Sequence, residues 1–238
     1  MLRIEQAEIG YSTPLISIPS LELESGKLVA LIGRNGIGKS TFLQTIIGSN
    51  PIKSGEVILN ERSLSTYSKK QLAQQVSLVR STFTGNEFLS VREYLLLGRI
   101  PYTNLFGTTT KNDLEVVKEV IGLVSIEHLE SKFTNQLSDG EKQMVAIAQS
   151  LVQQTSLLLL DEPTAFLDYE NKWKVLQILK KCTVENGLCT VFSTHDLELA
   201  LKISDELLLV NPITKQLRKV GINSITLEEV IAFCFPNL

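Results

Sequence analysis

Gly33-Arg34-Asn35-Gly36-Ile37-Gly38-Lys39-Ser40-Thr41 follows the apolar run Leu28 to Ile32 and leads into helical spacing from Lys39 to about Ile47. The stretch fits G-x-x-x-x-G-K-[ST] in the strand–loop–helix setting that this pattern needs. Glycines let backbone N–H groups turn inward around phosphate oxygens, and the N-terminus of the next helix adds positive potential. Lys39 would reach the β- and γ-phosphates as a point charge, and Ser40 would offer its hydroxyl to Mg2+. The competing explanation is a glycine-rich turn that holds Lys-Ser by accident, and the flanking strand and helix argue against it. Alone, the motif implies nucleoside triphosphate binding and nothing narrower.

On either side, short β-type runs at Leu2 to Ile9, Leu15 to Leu23, Glu56 to Leu59 and Val76 to Val79 surround this loop and its helix. Gly48 and Pro51 stop the helix. From Val91 to Gln154 the spacing turns helical, which predicts helices near Val91–Leu97, Leu114–Leu123 and Gly140–Gln153. Alternation then returns: a β run over Ser156–Leu160, a helix over Glu170–Cys182, a β run over Leu188–Phe192, a helix over Leu197–Ile203 and a strand over Glu206–Val210. Strands alternating with helices around a helical block read as one α/β domain, 1–238, with an insertion over about 82–153. The tail from Asn211 is weakly patterned and is assigned no role.

The apolar fraction of 43%, the charged fraction of 21% and a net charge of -3 are those of an ordinary globular chain without general attraction to nucleic acid. Pairs such as Lys69-Lys70 and Lys180-Lys181 are expected on solvated helix faces. Met1-Leu2-Arg3-Ile4-Glu5 carries charge where a secretory signal needs an apolar core, and the run Leu157 to Leu160 is too short to cross a bilayer. Cys182, Cys189 and Cys234 lack metal-ligand spacing and are expected as inert thiols of a reducing cytosol. The chain is therefore expected in the cytoplasm, without direct membrane insertion.

Leu157-Leu158-Leu159-Leu160-Asp161-Glu162 is a strand apolar at successive positions, hence buried on both faces, that ends in two carboxylates. Ligands sit at the C-terminal ends of such strands. Asp161 would hold Mg2+ through water, and Glu162 would polarise an attacking water as general base. The alternative is a core strand running into an acidic turn; the phosphate cradle at the end of a similar strand weighs against it. His195 follows the run Thr190-Val191-Phe192-Ser193-Thr194, where it would bond the γ-phosphate and the water. A lone histidine there is more often structural, and only the other motifs reverse that weighting.

Leu137-Ser138-Asp139-Gly140-Glu141 reads first as a capping box, with Ser138 and Glu141 closing the start of a helix. Between the cradle and the Asp161-Glu162 strand, however, it resembles the LSGGQ signature of ABC ATPases. In that family the segment contacts the γ-phosphate of ATP held by the opposing subunit, and a capped helix tip is itself an anion site. The resemblance covers about residues 1 to 210. It makes His195 the switch histidine and Thr164-Ala165-Phe166-Leu167-Asp168 the D-loop linking the two sites, although Asp168 is also a plain helix N-cap. It gives Tyr11 the role of stacking on adenine. It implies a mixed-sheet core with an antiparallel β subdomain and an inserted helical subdomain. It also implies ATP and Mg2+ as cofactors, a second copy in an ATP sandwich, and transmembrane permease subunits on the inner face of the cell membrane.

Val91-Arg92-Glu93 followed by Leu97-Gly98-Arg99-Ile100-Pro101-Tyr102 resembles the ATPase subunits of importers for iron chelates, haem and cobalamin, as does the variant signature with Asp139 and Glu141. Ser81, preceded by Arg80, stands where the family has a metal-binding Gln, which predicts weaker coupling or slower turnover. Met144 and Gln149 replace arginines common after the signature. The alternative from another class is a soluble ABC ATPase of iron-sulfur cofactor assembly, with no transmembrane partner. DNA-repair and translation types fit poorly, for want of a coiled coil, a basic face or a second motif set. A stand-alone kinase or GTPase has no use for the Ser138 segment or Asp168.

Overall fold

Leu2–Gly10 (β1) pairs antiparallel with Pro14–Leu23 (β2) and Ser54–Leu59 (β4), and the short Arg62–Ser63 (β5) completes a four-stranded sheet in the order β2-β1-β4-β5. Leu2 and Ile4 face the core, as do Ala7 and Ile9. The change of parity between the pairs coincides with a register shift between Glu5 and Glu8 and with Gln6 at φ 45. A bulge there keeps both halves of the strand facing inward. The computed structural model describes residues 1–83, 88–104, 107–165 and 167–236.

Leu28–Ile32 (β3) is buried at every position. It lies inside a six-stranded sheet with Val76–Val79 (β6), Leu157–Leu160 (β7), Cys189–Thr194 (β8), Glu206–Val210 (β9) and Leu217–Gly221 (β10). The order is β10-β9-β3-β8-β7-β6, parallel throughout except for β10. Val29 and Leu31 point into the core shared with the antiparallel sheet and the helix Lys39–Ile46 (α1). Leu28, Ala30 and Ile32 point to the other face, under Tyr169–Glu185 (α6), Leu197–Ile203 (α7) and Leu227–Cys234 (α8). This is why the strand carries no polar residue.

Lys69–Ala73 (α2) precedes β6. Between β6 and β7, Val91–Leu96 (α3), Lys111–Val124 (α4) and Asp139–Val152 (α5) bury a core of their own, around Val91, Leu95, Val117 and Val145. Ser68, Ser90, Thr110, Ser138 and Thr226 each close a capping box, and Asp168 and Asp196 accept from the third residue of their helices. Buried Arg99, in the 3-10 segment Leu97–Tyr102, fastens this block together. Its Nε lies 2.7 Å from Asp113 Oδ1, and its Nη1 lies 2.9 Å from Val152 O and 2.9 Å from Gln154 Oε1.

The tail corrects the expectation from sequence. It forms β10 and α8, and it closes the fold: Asn211 Nδ2 donates to Phe233 O at 3.1 Å, and Cys234 lies buried against Ile32. The signal was present in Thr226 and Glu229, a capping-box pair before an apolar run. Lys180 also departs from a purely solvated position, since it bonds Asp205 at 2.6 Å. The three cysteines are buried, and burial raises Cys182 and Cys234 to about 11 and Cys189 to about 12, which leaves them as unreactive thiols. Among the described residues no helix is long and apolar enough to cross a membrane.

Candidate functional site

Parallel pairing brings the C-terminal ends of β3, β8 and β7 side by side, with Ile32 beside Thr194 and Leu160 beside Phe192. The loop Gly33–Lys39, the turn at His195 and the Asp161-Glu162 pair therefore share one edge of the sheet, the place where open α/β sheets hold ligands.

Gly36 and Gly38 adopt φ +77 and φ +115, which a side chain would resist. A Cβ on Gly38 would also meet Leu15 at 3.1 Å and Ile16 at 3.3 Å, so the loop rests directly on β2. Unlike the capped helices, α1 starts at Gly38 with no side-chain cap. The first N–H groups of a helix have no partner within it, so those at the start of α1 stand open at this edge of the sheet. Ser40 is exposed and Thr41 buried. Arg34 is half-buried, while Asn35 and Gly36 are exposed on the outer side of the loop.

Lys39 is buried and turned back into the loop, where its Nζ donates to Gly33 O at 2.9 Å and to Arg34 O at 3.3 Å. Burial lowers its pKa, and the carboxylates of Glu162 and Asp161 counter that shift. Glu162 sits between two basic side chains: Oε1 is 4.0 Å from Lys39 Nζ, and Oε2 is 3.9 Å from Nδ1 of the exposed His195. Gaps of that width suit a bridging water or oxygen. Ser193 Oγ donates to Asp161 Oδ1 at 2.8 Å and accepts from Glu162 N at 2.8 Å. The sequence treats Ser193 as an ordinary strand residue; only the register of β7 against β8 reveals it.

Tyr11 lies in the β1–β2 turn, exposed, its hydroxyl 3.5 Å from Asn50 Nδ2. Lys53 holds the turn by donating to Tyr11 O and Ser12 O, both at 2.7 Å. Ser138 accepts from Glu141 N at 3.3 Å, and Glu141 accepts from Ser138 N at 2.8 Å. Within the same turn stands Gly140, where a Cβ would lie 3.2 Å from Leu167, so α5 packs on the segment before Asp168. Asp168 caps α6 by accepting from Asn171 N at 2.9 Å. Phe166 lies outside the described residues. Ser81 is half-buried one residue beyond Arg80. Met144 packs between the sheet core and the helical core, which gives it an apolar role.

Hydrogen bonds from Ser138 and the Lys132 ammonium hold the Glu141 carboxyl at about 2. A depressed carboxyl stabilises the folded state above its ordinary pKa and loses that contribution as pH falls through the folded value. Between about pH 4.5 and pH 2, Glu141→Gln is therefore expected to flatten the acid melting curve relative to wild type, as thermal denaturation will show.

The sequence model of the ABC transporter family matches residues 16–165. An uncharacterized ABC transporter ATP-binding protein of Methanocaldococcus jannaschii is 36% identical over 211 residues, covering 88% of this chain and 73% of that protein. The iron(3+)-hydroxamate import ATP-binding protein of Bacillus subtilis is 33% identical, covering 85% and 76%. The ferric enterobactin transport ATP-binding protein of Escherichia coli is 32% identical, covering 87% and 77%. Among solved structures, cbiO1 of Clostridium perfringens, part of the ABC transporter complex cbiONQ, superposes with a TM-score of 0.83 at 26% identity, over 99% of this chain and 95% of that one. Likeness of this breadth, on a chain whose strand ends already converge on a phosphate cradle, places it in the ABC transporter family, as an ATP-binding subunit that hydrolyses ATP to drive transport.

Proposed function

We propose that this chain powers uptake of an iron chelate, haem or cobalamin, as a homodimer docked on transmembrane permease subunits at the inner face of the membrane. The observation that carries the catalytic assignment is Glu162, held between Lys39 and His195 at 4.0 Å and 3.9 Å. In this reading Gly33, Arg34, Asn35, Gly36, Gly38, Lys39, Ser40 and Thr41 surround the phosphates, and Tyr11 stacks on adenine. Lys39 exchanges its loop carbonyls for phosphate oxygens. Glu162 accepts a proton from the attacking water, which His195 helps to orient, and Ser138 with the Gly140 N–H bonds the γ-phosphate from the opposing copy. Asp168 sits at the seam between the sites.

The site suits Mg2+ on the chemistry of its donors: the exposed Ser40 hydroxyl and the Asp161 carboxylate are hard oxygens, and Mg2+ keeps several waters beside one or two such ligands. When bound, it would supply positive charge to offset the negative charge of the transferring phosphoryl group. The substrate class rests on the resemblance of Val91–Tyr102 and on the iron-chelate relatives. The exposed Leu97 and Ile100 offer an apolar patch to a membrane partner. Roughly residues 82–153 would carry the motion between them.

Lys39→Ala is expected to weaken ATP binding by about 1.5–3 kcal/mol, the worth of a hydrogen bond to a charged group. The empty protein should melt close to wild type, because relief from burying the ammonium offsets the loss of its bonds to Gly33 O and Arg34 O. Nucleotide titration and a melting curve with and without ATP check both halves. Purification from membranes of the native host tests the importer reading. A co-purifying polytopic permease that binds an iron chelate, haem or cobalamin supports it, and recovery with soluble iron-sulfur assembly proteins would favour the alternative.

A further inference from the structure

Ser193 is a fully buried hydroxyl on the central strand β8, between Phe192 and Thr194, and both of its hydrogen-bonding roles go to the neighbouring strand end. It donates to Asp161 Oδ1 and accepts from the backbone N–H of Glu162, each at 2.8 Å. Glu162 has φ 48, the left-handed region that a residue with a side chain avoids unless its surroundings hold it there. Ala165 N closes the same turn by donating to Glu162 O at 3.2 Å. Backbone strain at Glu162 is thus pinned from both sides, and its carboxylate is aimed between Lys39 and His195. Oδ1 of Asp161 is tied in the same stroke, which fixes how the rest of the carboxylate faces the cradle.

Thr194 continues the pattern, since its Oγ1 accepts from Asp196 N at 3.0 Å and so shapes the turn that carries His195. In packing alone a buried serine hydroxyl has little advantage over alanine, and what it adds is its hydrogen bonds. Its value lies in the two groups that it orients.

We propose that Ser193 is a positioning residue for ATP hydrolysis, which sets the Asp161 carboxylate and the strained Glu162 backbone with one hydroxyl; this rests on the roles proposed above for Asp161 and Glu162. Loss of a group that orients metal ligands costs about 10- to 100-fold in metal affinity or activity. Ser193→Ala is therefore expected to lower kcat by about that factor, and to weaken Mn2+ binding to the ATP-loaded protein, read by paramagnetic resonance. ATP affinity measured without metal should stay within about twofold, since the cradle is untouched. Ser193→Thr, which keeps the hydroxyl, should recover most of both losses. A merely structural role would lower the melting temperature without changing Mn2+ affinity.

Asp161→Asn and Glu162→Gln, run alongside, distinguish loss of the positioning role from loss of the carboxylate roles. If both are inactive while Ser193→Ala keeps wild-type kcat and Mn2+ affinity, the positioning role is overturned. If Glu162→Gln itself hydrolyses ATP normally, the underlying assignment fails instead. Should Ser193→Ala not fold, Ser193→Cys serves with the same readouts, because its thiol is a weaker donor of similar size.

Discussion

Glu162→Gln is expected to hydrolyse ATP on the order of 10²–10⁴-fold more slowly than wild type, the usual worth of a positioned general base. The amide keeps the size of the carboxylate but cannot take a proton from water. Its backbone should stay in place, because the bond from Glu162 N to Ser193 Oγ does not involve the side chain. Binding should survive, and removing a carboxylate 4.0 Å from Lys39 Nζ frees that ammonium for phosphate. With hydrolysis stopped, ATP has time to accumulate between two copies. Single-turnover kinetics and gel filtration with ATP should show slow chemistry together with a shift from monomer to dimer. Wild-type turnover in this variant would remove Glu162 from the chemistry.

Arg99→Ala is expected to destabilise the folded chain by about 3–5 kcal/mol, as breaking a buried ion pair from one side does. Arg99 joins the start of α4, through Asp113, to the end of α5, through Val152 O, and its guanidinium lies 4.1 Å from the Tyr102 ring centre. Removing it strands the Asp113 carboxylate in a buried site. Burial tends to raise that carboxyl, but hydrogen bonds from Thr110 and Arg99 prevail and hold its pKa below the ordinary value. The stability it confers is therefore present above the usual carboxylate range and lost as pH falls through the lowered value. Urea unfolding at neutral pH measures the loss. Asp113→Asn should cost less than Arg99→Ala, because an amide still accepts from Thr110 and Arg99, and the guanidinium keeps Val152 O and Gln154 Oε1.

This pair also shows what the sequence conceals. Leu97-Gly98-Arg99-Ile100-Pro101-Tyr102 was legible as a likeness to one group of importers, yet nothing in its spacing says that the arginine is buried rather than offered to a partner. Residues 99 and 113 meet only because α3, α4 and α5 pack together, and such long-range contacts leave no periodic trace. The strands were far easier. Leu28–Ile32 and Val76–Val79 stand as expected; burial on both faces forces an unbroken apolar run in the first, and the second is apolar apart from the buried Ser77. β10 was missed because an edge strand with Arg218 and Lys219 lacks that pressure. Within the site, Lys39, Asp161, Glu162 and His195 were readable from motifs at strand ends. Ser193 was not, because a serine before Thr194-His195 acquires meaning only once β8 lies beside β7.

Under the proposed function, each ATP is clasped by the cradle of one copy and by the Ser138 helix tip of the other. The most direct measurement is a crystal structure of Glu162→Gln grown with ATP. Ser138 Oγ of one copy should lie within about 3 Å of a γ-phosphate oxygen held by Lys39 of the other. Finding residue 138 remote from every terminal phosphate, in every pairing of copies in that crystal, would contradict it.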